Sequence, residues 1–277
     1  MRRAGLVLAV VTALLVAGGL VLLRPNRVLS STSFSVPQAS EVQLDSFAQQ
    51  RVFFAHQSVG ENLLDAMPGL VEAQDAASST IVSLGDQPES GTALIETAIG
   101  TNGDPLGKIA EFDQILRDGL GDDIDVAVLK LCYIDFSVAT DVEELFTAYT
   151  TTIAALEADF PDVTFIYTTA PLVSERDVIE RLKNLLGRAM HRDPSENTVR
   201  HRYNELIRDE YGSSGRLLDI AAIQASDASG MLQTREADGQ PYQAMDPQWA
   251  SDPGHLNPDG AARLANAFVA LIADSQA

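Results

Sequence analysis

The sequence predicts an α/β fold: a three-layer α/β/α sandwich around a central, mostly parallel five-stranded sheet. Three observations lead there. Short apolar runs at residues 51–55, 80–84, 124–131 and 163–168 alternate with longer stretches of helical periodicity, the rhythm of successive βα units. Residues 126–129, Val-Ala-Val-Leu, are apolar without alternation, as a strand covered by helices on both faces requires. The chain has 277 residues, 45% of them hydrophobic and 21% charged, enough for one domain with a sizeable core plus a short appendage.

Taken in order, residues 1–27 read as an N-terminal membrane anchor or signal segment. Twenty apolar and small residues, 4–23, follow Arg2 and Arg3, and this is about the length that crosses a bilayer. The run ends Leu20-Val21-Leu22-Leu23 without a small-x-small cleavage site, which favours an uncleaved anchor over a secreted product. A lone N-terminal span before a long acidic domain predicts that the domain lies outside the cytoplasmic membrane, attached through this segment. Residues 28–49, rich in serine and polar letters, are expected to be a linker, and residues 50–277 the folded domain. Within it, helical patterns fall at 60–73, 104–120, 142–160, 174–190 and 196–211, and a fifth strand at 217–220. Residues 225–251 are polar, carry Gly230, Gly239, Pro241 and Pro247, and read as a surface excursion near the site. The last helix is well signalled, with Asn257 as N-cap, Pro258 at its first position and apolar periodicity over 261–272.

Charge excludes some functions. The formal net charge is −20, and because Arg2, Arg3, Arg24 and Arg27 all lie in the acid-free N-terminal segment, the remainder carries about −24. Such a body repels phosphate backbones, so no nucleic-acid partner is expected. The single cysteine, Cys132, permits no intrachain disulfide and no cysteine-based zinc site, and its place after an apolar run reads as core. No metal and no cofactor is expected, and the sequence does not specify an oligomeric state.

Reactive groups in open α/β sheets collect beyond the carboxyl ends of the strands. Beyond the first run stands His56-Gln57-Ser58-Val59-Gly60, beyond the third Cys132-Tyr133-Ile134-Asp135, and before the last helix Asp252-Pro253-Gly254-His255. Ser58 occupies a strand-to-helix turn, where a hydroxyl is held out beside free backbone N–H groups. A serine nucleophile needs a histidine base whose other nitrogen is oriented by a carboxylate. Of the four histidines, His191 and His201 sit among charged helical residues and read as surface, whereas His255 follows Asp252 across a Pro-Gly turn. That spacing by itself also fits a plain loop before a helix. His56 lies on the same side of an extended chain as Ser58 and is either part of the site or a buried core histidine. Lys130, within an apolar strand, either reaches past the strand end or pairs with a buried carboxylate such as Asp135.

Taken together, the serine block after the first strand, the block after the third, and a terminal Asp-x-x-His followed by Leu-Asn-x-x-Gly resemble the SGNH/GDSL hydrolases over roughly residues 50–275. The resemblance implies a flavodoxin-like sandwich and a triad of Ser58, Asp252 and His255. It further implies an oxyanion hole made by the serine N–H, a glycine N–H and an asparagine side chain. Gly100 and Asn102 are the candidates in the second block, residues 99–104. The third block holds Ile134 where the asparagine would stand, so Asn102 or His56 is expected to substitute, with Asp135 orienting a neighbour. The implied activity is a serine esterase that removes acyl groups, acetyl among the candidates, from a small-molecule, carbohydrate or lipid ester. An O-acyltransferase with the same triad, or a membrane-tethered binding module without turnover, are the alternatives.

Overall fold

A computed structural model of the protein describes residues 27–88, 90–175 and 196–276. The first strand, β1 (Arg27–Ser33), is exposed along its length, and a short helix follows, α1 (Glu41–Phe47). Helix α1, and β1 apart from Arg27, fall inside residues 28–49, the segment expected to be a linker, which instead carries regular structure. Ser40 and Gln43 form a reciprocal capping box at the start of α1, which turns Leu44 and Phe47 into the core. The polar letters of the segment are shared between the exposed strand β1, with Ser30, Ser31, Thr32 and Ser33, and the cap and outer face of this helix.

The chain then alternates as expected: β2 (Arg51–His56), α2 (Ser58–Gln74), β3 (Ile81–Ser83), β4 (Ala93–Ala98), α3 (Pro105–Arg117), β5 (Val126–Leu129), α4 (Val142–Asp159) and β6 (Thr164–Thr168). After residues 176–195, which lie outside the described part and contain most of the helix expected at 174–190, come α5 (Asn197–Tyr211), β7 (Leu217–Leu218) and α6 (Ile220–Ala225). The main sheet has six strands, not five, in the order β3-β4-β2-β5-β6-β7, and all of its pairings are parallel. Without the three-residue edge strand β3, the order is that of a flavodoxin-like sheet. The additional strand is β4, whose apolar half Ala93-Leu94-Ile95 is buried while Glu96 and Thr97 give it a polar end. The strand expected at 217–220 is shorter than read, because Asp219 caps α6 and ends the extended chain.

Alternation along β2 divides the core. Val52 and Phe54 face the layer of α2 and the C-terminal helix α7 (Pro258–Ser275). Phe53 and Ala55 face the layer of α3, α4 and α5. Phe47 of α1 meets Phe268 of α7 edge-on at 5.9 Å, and Asn266 accepts the Ala39 N–H at 3.1 Å, so the N-terminal segment is fastened to the sandwich.

The polar excursion is ordered. Strands β8 (Met231–Ala237) and β9 (Gln240–Tyr242) form a hairpin about Asp238-Gly239, both with positive φ, and β1 pairs antiparallel with β8. A second, small hairpin, β10 (Ala250–Asp252) and β11 (His255–Leu256), leads into α7. Asn257 caps α7 by accepting the Gly260 N–H, as its sequence predicts. His201 is the reverse of its expected surface role: it is buried on α5 beside the equally buried Arg200, while Arg202 and Glu205 lie on the outer face of the helix. His191 lies outside the described residues. Among the described residues no helix is long and apolar enough to cross a membrane, and the apolar run 4–23 is not among them.

Candidate active site

Parallel strands β2 and β5 end side by side at the point where successive crossovers leave for opposite faces of the sheet. From β2 the chain turns at Gln57 and enters α2 with Ser58 as its first residue. The hydroxyl is thereby set beside N–H groups of the first helical turn, which have no partner within the helix. From the other side comes the β10–β11 hairpin, whose register sets Asp252 opposite His255. Asp252 Oδ1 accepts the N–H groups of Gly254 at 2.8 Å and His255 at 3.1 Å, while Oδ2 lies 2.7 Å from His255 Nδ1. His255 Nε2 stands 3.0 Å from Ser58 Oγ. Three residues separated by up to 197 positions thus form one hydrogen-bonded line, in which the carboxylate orients the ring and the ring faces the hydroxyl.

Several residues that the sequence did not single out hold this line in place. Asn62, one turn beyond Ser58 on α2, accepts the Leu256 N–H at 3.1 Å and ties the hairpin to the helix. The signal for it was its i+4 spacing from Ser58. The Tyr133 ring meets His255 edge-on at 5.9 Å. It lies so close to Gly254 that a Cβ there would stand 2.4 Å from Tyr133 Cζ, so any other residue would force the turn or the ring to shift. Tyr133 is itself held by Arg200 of α5, fully buried, which donates from Nε to the Tyr133 carbonyl at 2.9 Å and from Nη1 to Asn197 at 2.9 Å. Gln57 donates to the Ile99 carbonyl at 2.6 Å, closing the first block on the second.

The remaining expected residues are placed as follows. Gly100 adopts φ +57° at the turn beyond β4, with its carbonyl 3.3 Å from Gln57 Nε2. Asn102 is exposed, and its Oδ1 accepts from Lys108 Nζ at 3.0 Å. His56 is buried against Phe54, ring centroids 4.7 Å apart, with Nδ1 3.1 Å from the Gln57 carbonyl and Nε2 3.2 Å from Glu96. Both ring nitrogens are therefore committed within the core, and desolvation lowers its pKa against the opposing pull of the Gln57 carbonyl and Glu96. Asp135 is buried and fully engaged: Lys108 Nζ lies 2.8 Å from both oxygens, Gly103 N–H donates to Oδ1 at 2.9 Å, and Cys132 N–H to Oδ2 at 2.7 Å. It fixes the second and third blocks to each other. The partner considered for it, Lys130, is also buried but among the described residues bonds only the Leu131 carbonyl, at 3.3 Å. Lys108 takes that place because it lies on the apolar face of α3, in register with Phe112 and Leu116, a spacing readable in the sequence. Among the described residues, no group of three or more His, Cys, Asp or Glu gathers to hold a metal.

No protein-family model matches this sequence, and no curated protein matches it. Solved structures do match. The chain is similar, at 13% identity and a TM-score of 0.43, to a Streptococcus pneumonia protein provisionally described as a platelet activating factor, over 82% of this chain and 89% of that one. It is similar, at 10% identity and a TM-score of 0.41, to a provisionally assigned lipolytic protein of the G-D-S-L family from Desulfitobacterium hafniense, over 80% of this chain and 99% of that one. A third is the lipopolysaccharide acetyltransferase periplasmic domain of Salmonella ser. Paratyphi A, at 16% identity and a TM-score of 0.42, over 79% and 82%. All three likenesses are at identities of 16% or less and TM-scores of 0.43 or less.

Proposed function

We propose that the protein is a serine acylhydrolase acting on carboxylic esters, with Ser58 as nucleophile, His255 as general base and acid, and Asp252 as the group that orients the imidazole. The observation that carries this reading is the line from Ser58 Oγ through His255 to Asp252, at 3.0 and 2.7 Å. In the acylation step Ser58 Oγ attacks the ester carbonyl and its proton passes to Nε2. The alcohol then leaves with that proton, and water repeats the sequence in reverse on the acyl-enzyme. The Ser58 N–H at the start of α2 is a donor for the oxyanion, and Gly100 N–H, on the adjoining turn, is the second. His56 and Asp135 have structural roles in this reading, since their polar atoms are already bonded.

A fluorophosphonate is expected to label the wild-type protein once, and Ser58→Ala to remove that label. A folded wild type that resists labelling would leave a binding module as the better description. An O-acyltransferase differs only in its acceptor and would be recognised by acyl appearing on an added sugar. Export rests on Arg2, Arg3 and the apolar run 4–23 alone. Protease added to intact cells is expected to digest the domain, and full protection would contradict that placement.

A further inference from the structure

Beside the Ser58–His255 hydrogen bond, the seam between α2 and α7 opens into a groove of about 520 Å³. Two rungs cross this seam in succession, Ser58 to His255 and, one helical turn below, Asn62 to Leu256. Asn62 and Leu256 are also the head of the groove, so it begins where the candidate catalytic groups end. Down the α2 wall follow Ala66, Gly69 and Ala73, at three- and four-residue steps that keep the face of the helix bearing Ser58. The opposite wall is Leu256, Pro258 and Ala261. From Asn62 to Ala73 the helix rises about 16 Å. The charged member of the lining, Asp65, is exposed at the rim, which leaves the floor neutral.

Gly69 keeps the middle of the trough open. A Cβ there would meet nothing within 4 Å, so the missing side chain is empty space and not a close approach of backbones. Pro68 and Gly69 together weaken the middle of a helix, and at this point the groove is walled by the small side chains of Ala66 and Ala73.

We infer that this groove receives the acyl chain of the substrate, which makes the favoured substrates esters of medium-length unbranched acids and not acetate esters. The inference rests on Ser58 being the nucleophile. With the carbonyl at Ser58, a straight chain continues past Asn62 and lies along Ala66, Gly69 and Leu256. An open groove buries part of each methylene, and full burial is worth about a fourfold gain.

The test is the ratio of kcat/KM for p-nitrophenyl octanoate to that for the acetate. The wild type is expected to favour octanoate at least tenfold. Gly69→Leu, which starts from a position where a Cβ meets nothing within 4 Å and extends a side chain into the trough, is expected to lower that ratio at least tenfold, and Gly69→Ala to lower it less; thermal melting checks that both variants fold. A wild type that cleaves both esters equally, or a folded Gly69→Leu with an unchanged ratio, overturns the groove and leaves the serine reading standing. Wild-type rates on both esters in Ser58→Ala overturn the two together.

Discussion

At the scale of single residues, the two buried lysines show how differently one side chain can be accommodated. Lys108 is neutralised by Asp135, and breaking such a pair from one side strands a buried charge, so Asp135→Asn is expected to cost about 3–5 kcal/mol, measured by urea denaturation. Among the described residues Lys130 has no carboxylate within bonding distance, and burial pushes its pKa down from 10.5 to about 8. Below pH 8 the ammonium is charged in folded and unfolded chains alike, and the whole cost of burying it weighs against the fold. Between about 8 and 10.5 the folded chain gives up the proton first, so stability rises with pH across that window. Lys130→Met is therefore expected to stabilise the protein by about 3 kcal/mol at pH 7, with the gain shrinking toward pH 10.5; an equal gain at both pH values would refute the account. Neither alternative that the sequence offers for Lys130 holds: it is buried instead of reaching past the strand end, and Lys108 takes the place beside Asp135. Which lysine reaches Asp135 depends on how α3 packs over the strand ends, and strand periodicity alone does not contain that.

At the scale of elements, the hairpin of β10 and β11 carries the argument. Asp252 and His255 are three apart in sequence and opposite each other in the ladder, a relation that follows from a two-residue Pro253-Gly254 connection. Gly254→Ala drives a methyl group into the Tyr133 ring, so either the hairpin or the tyrosine must move. The expected result is a fall of at least tenfold in fluorophosphonate labelling rate with the fold retained, read by mass spectrometry beside circular dichroism. Elements with local signals were legible: Asn257 and Pro258 begin the last helix, and the continuous apolar letters of β5 mark a strand covered on both faces. Strand β4 was not, because the Glu96 that makes it look unlike a strand is polar for a tertiary reason, accepting from Ser83 at 2.5 Å and facing His56. Helix α1 was hidden in the same way, its Ser-x-x-Gln cap read as linker composition.

At the scale of the whole molecule, the rhythm of apolar runs gave the layers, while the order of strands in the sheet came from long-range pairings that no local pattern encodes. The N-terminal segment is the clearest case. Because Leu44 and Phe47 are buried against α7, a chain beginning at Gln50 is expected to lose about 4 kcal/mol, a large share of the roughly 5–15 kcal/mol that holds an ordinary domain together, and its urea midpoint should fall accordingly. The pairing of β1 with β8 also sets a geometric limit. Only Arg24, Pro25 and Asn26 separate the end of the apolar run at Leu23 from the first residue of β1. At most about 3.6 Å per residue, that short leash spans roughly 14 Å. A bilayer holding residues 4–23 would keep the domain pressed close to its surface, able to swivel but not to roam, and the substrates within reach of the proposed activity would be those carried by the membrane itself or by molecules lying on it.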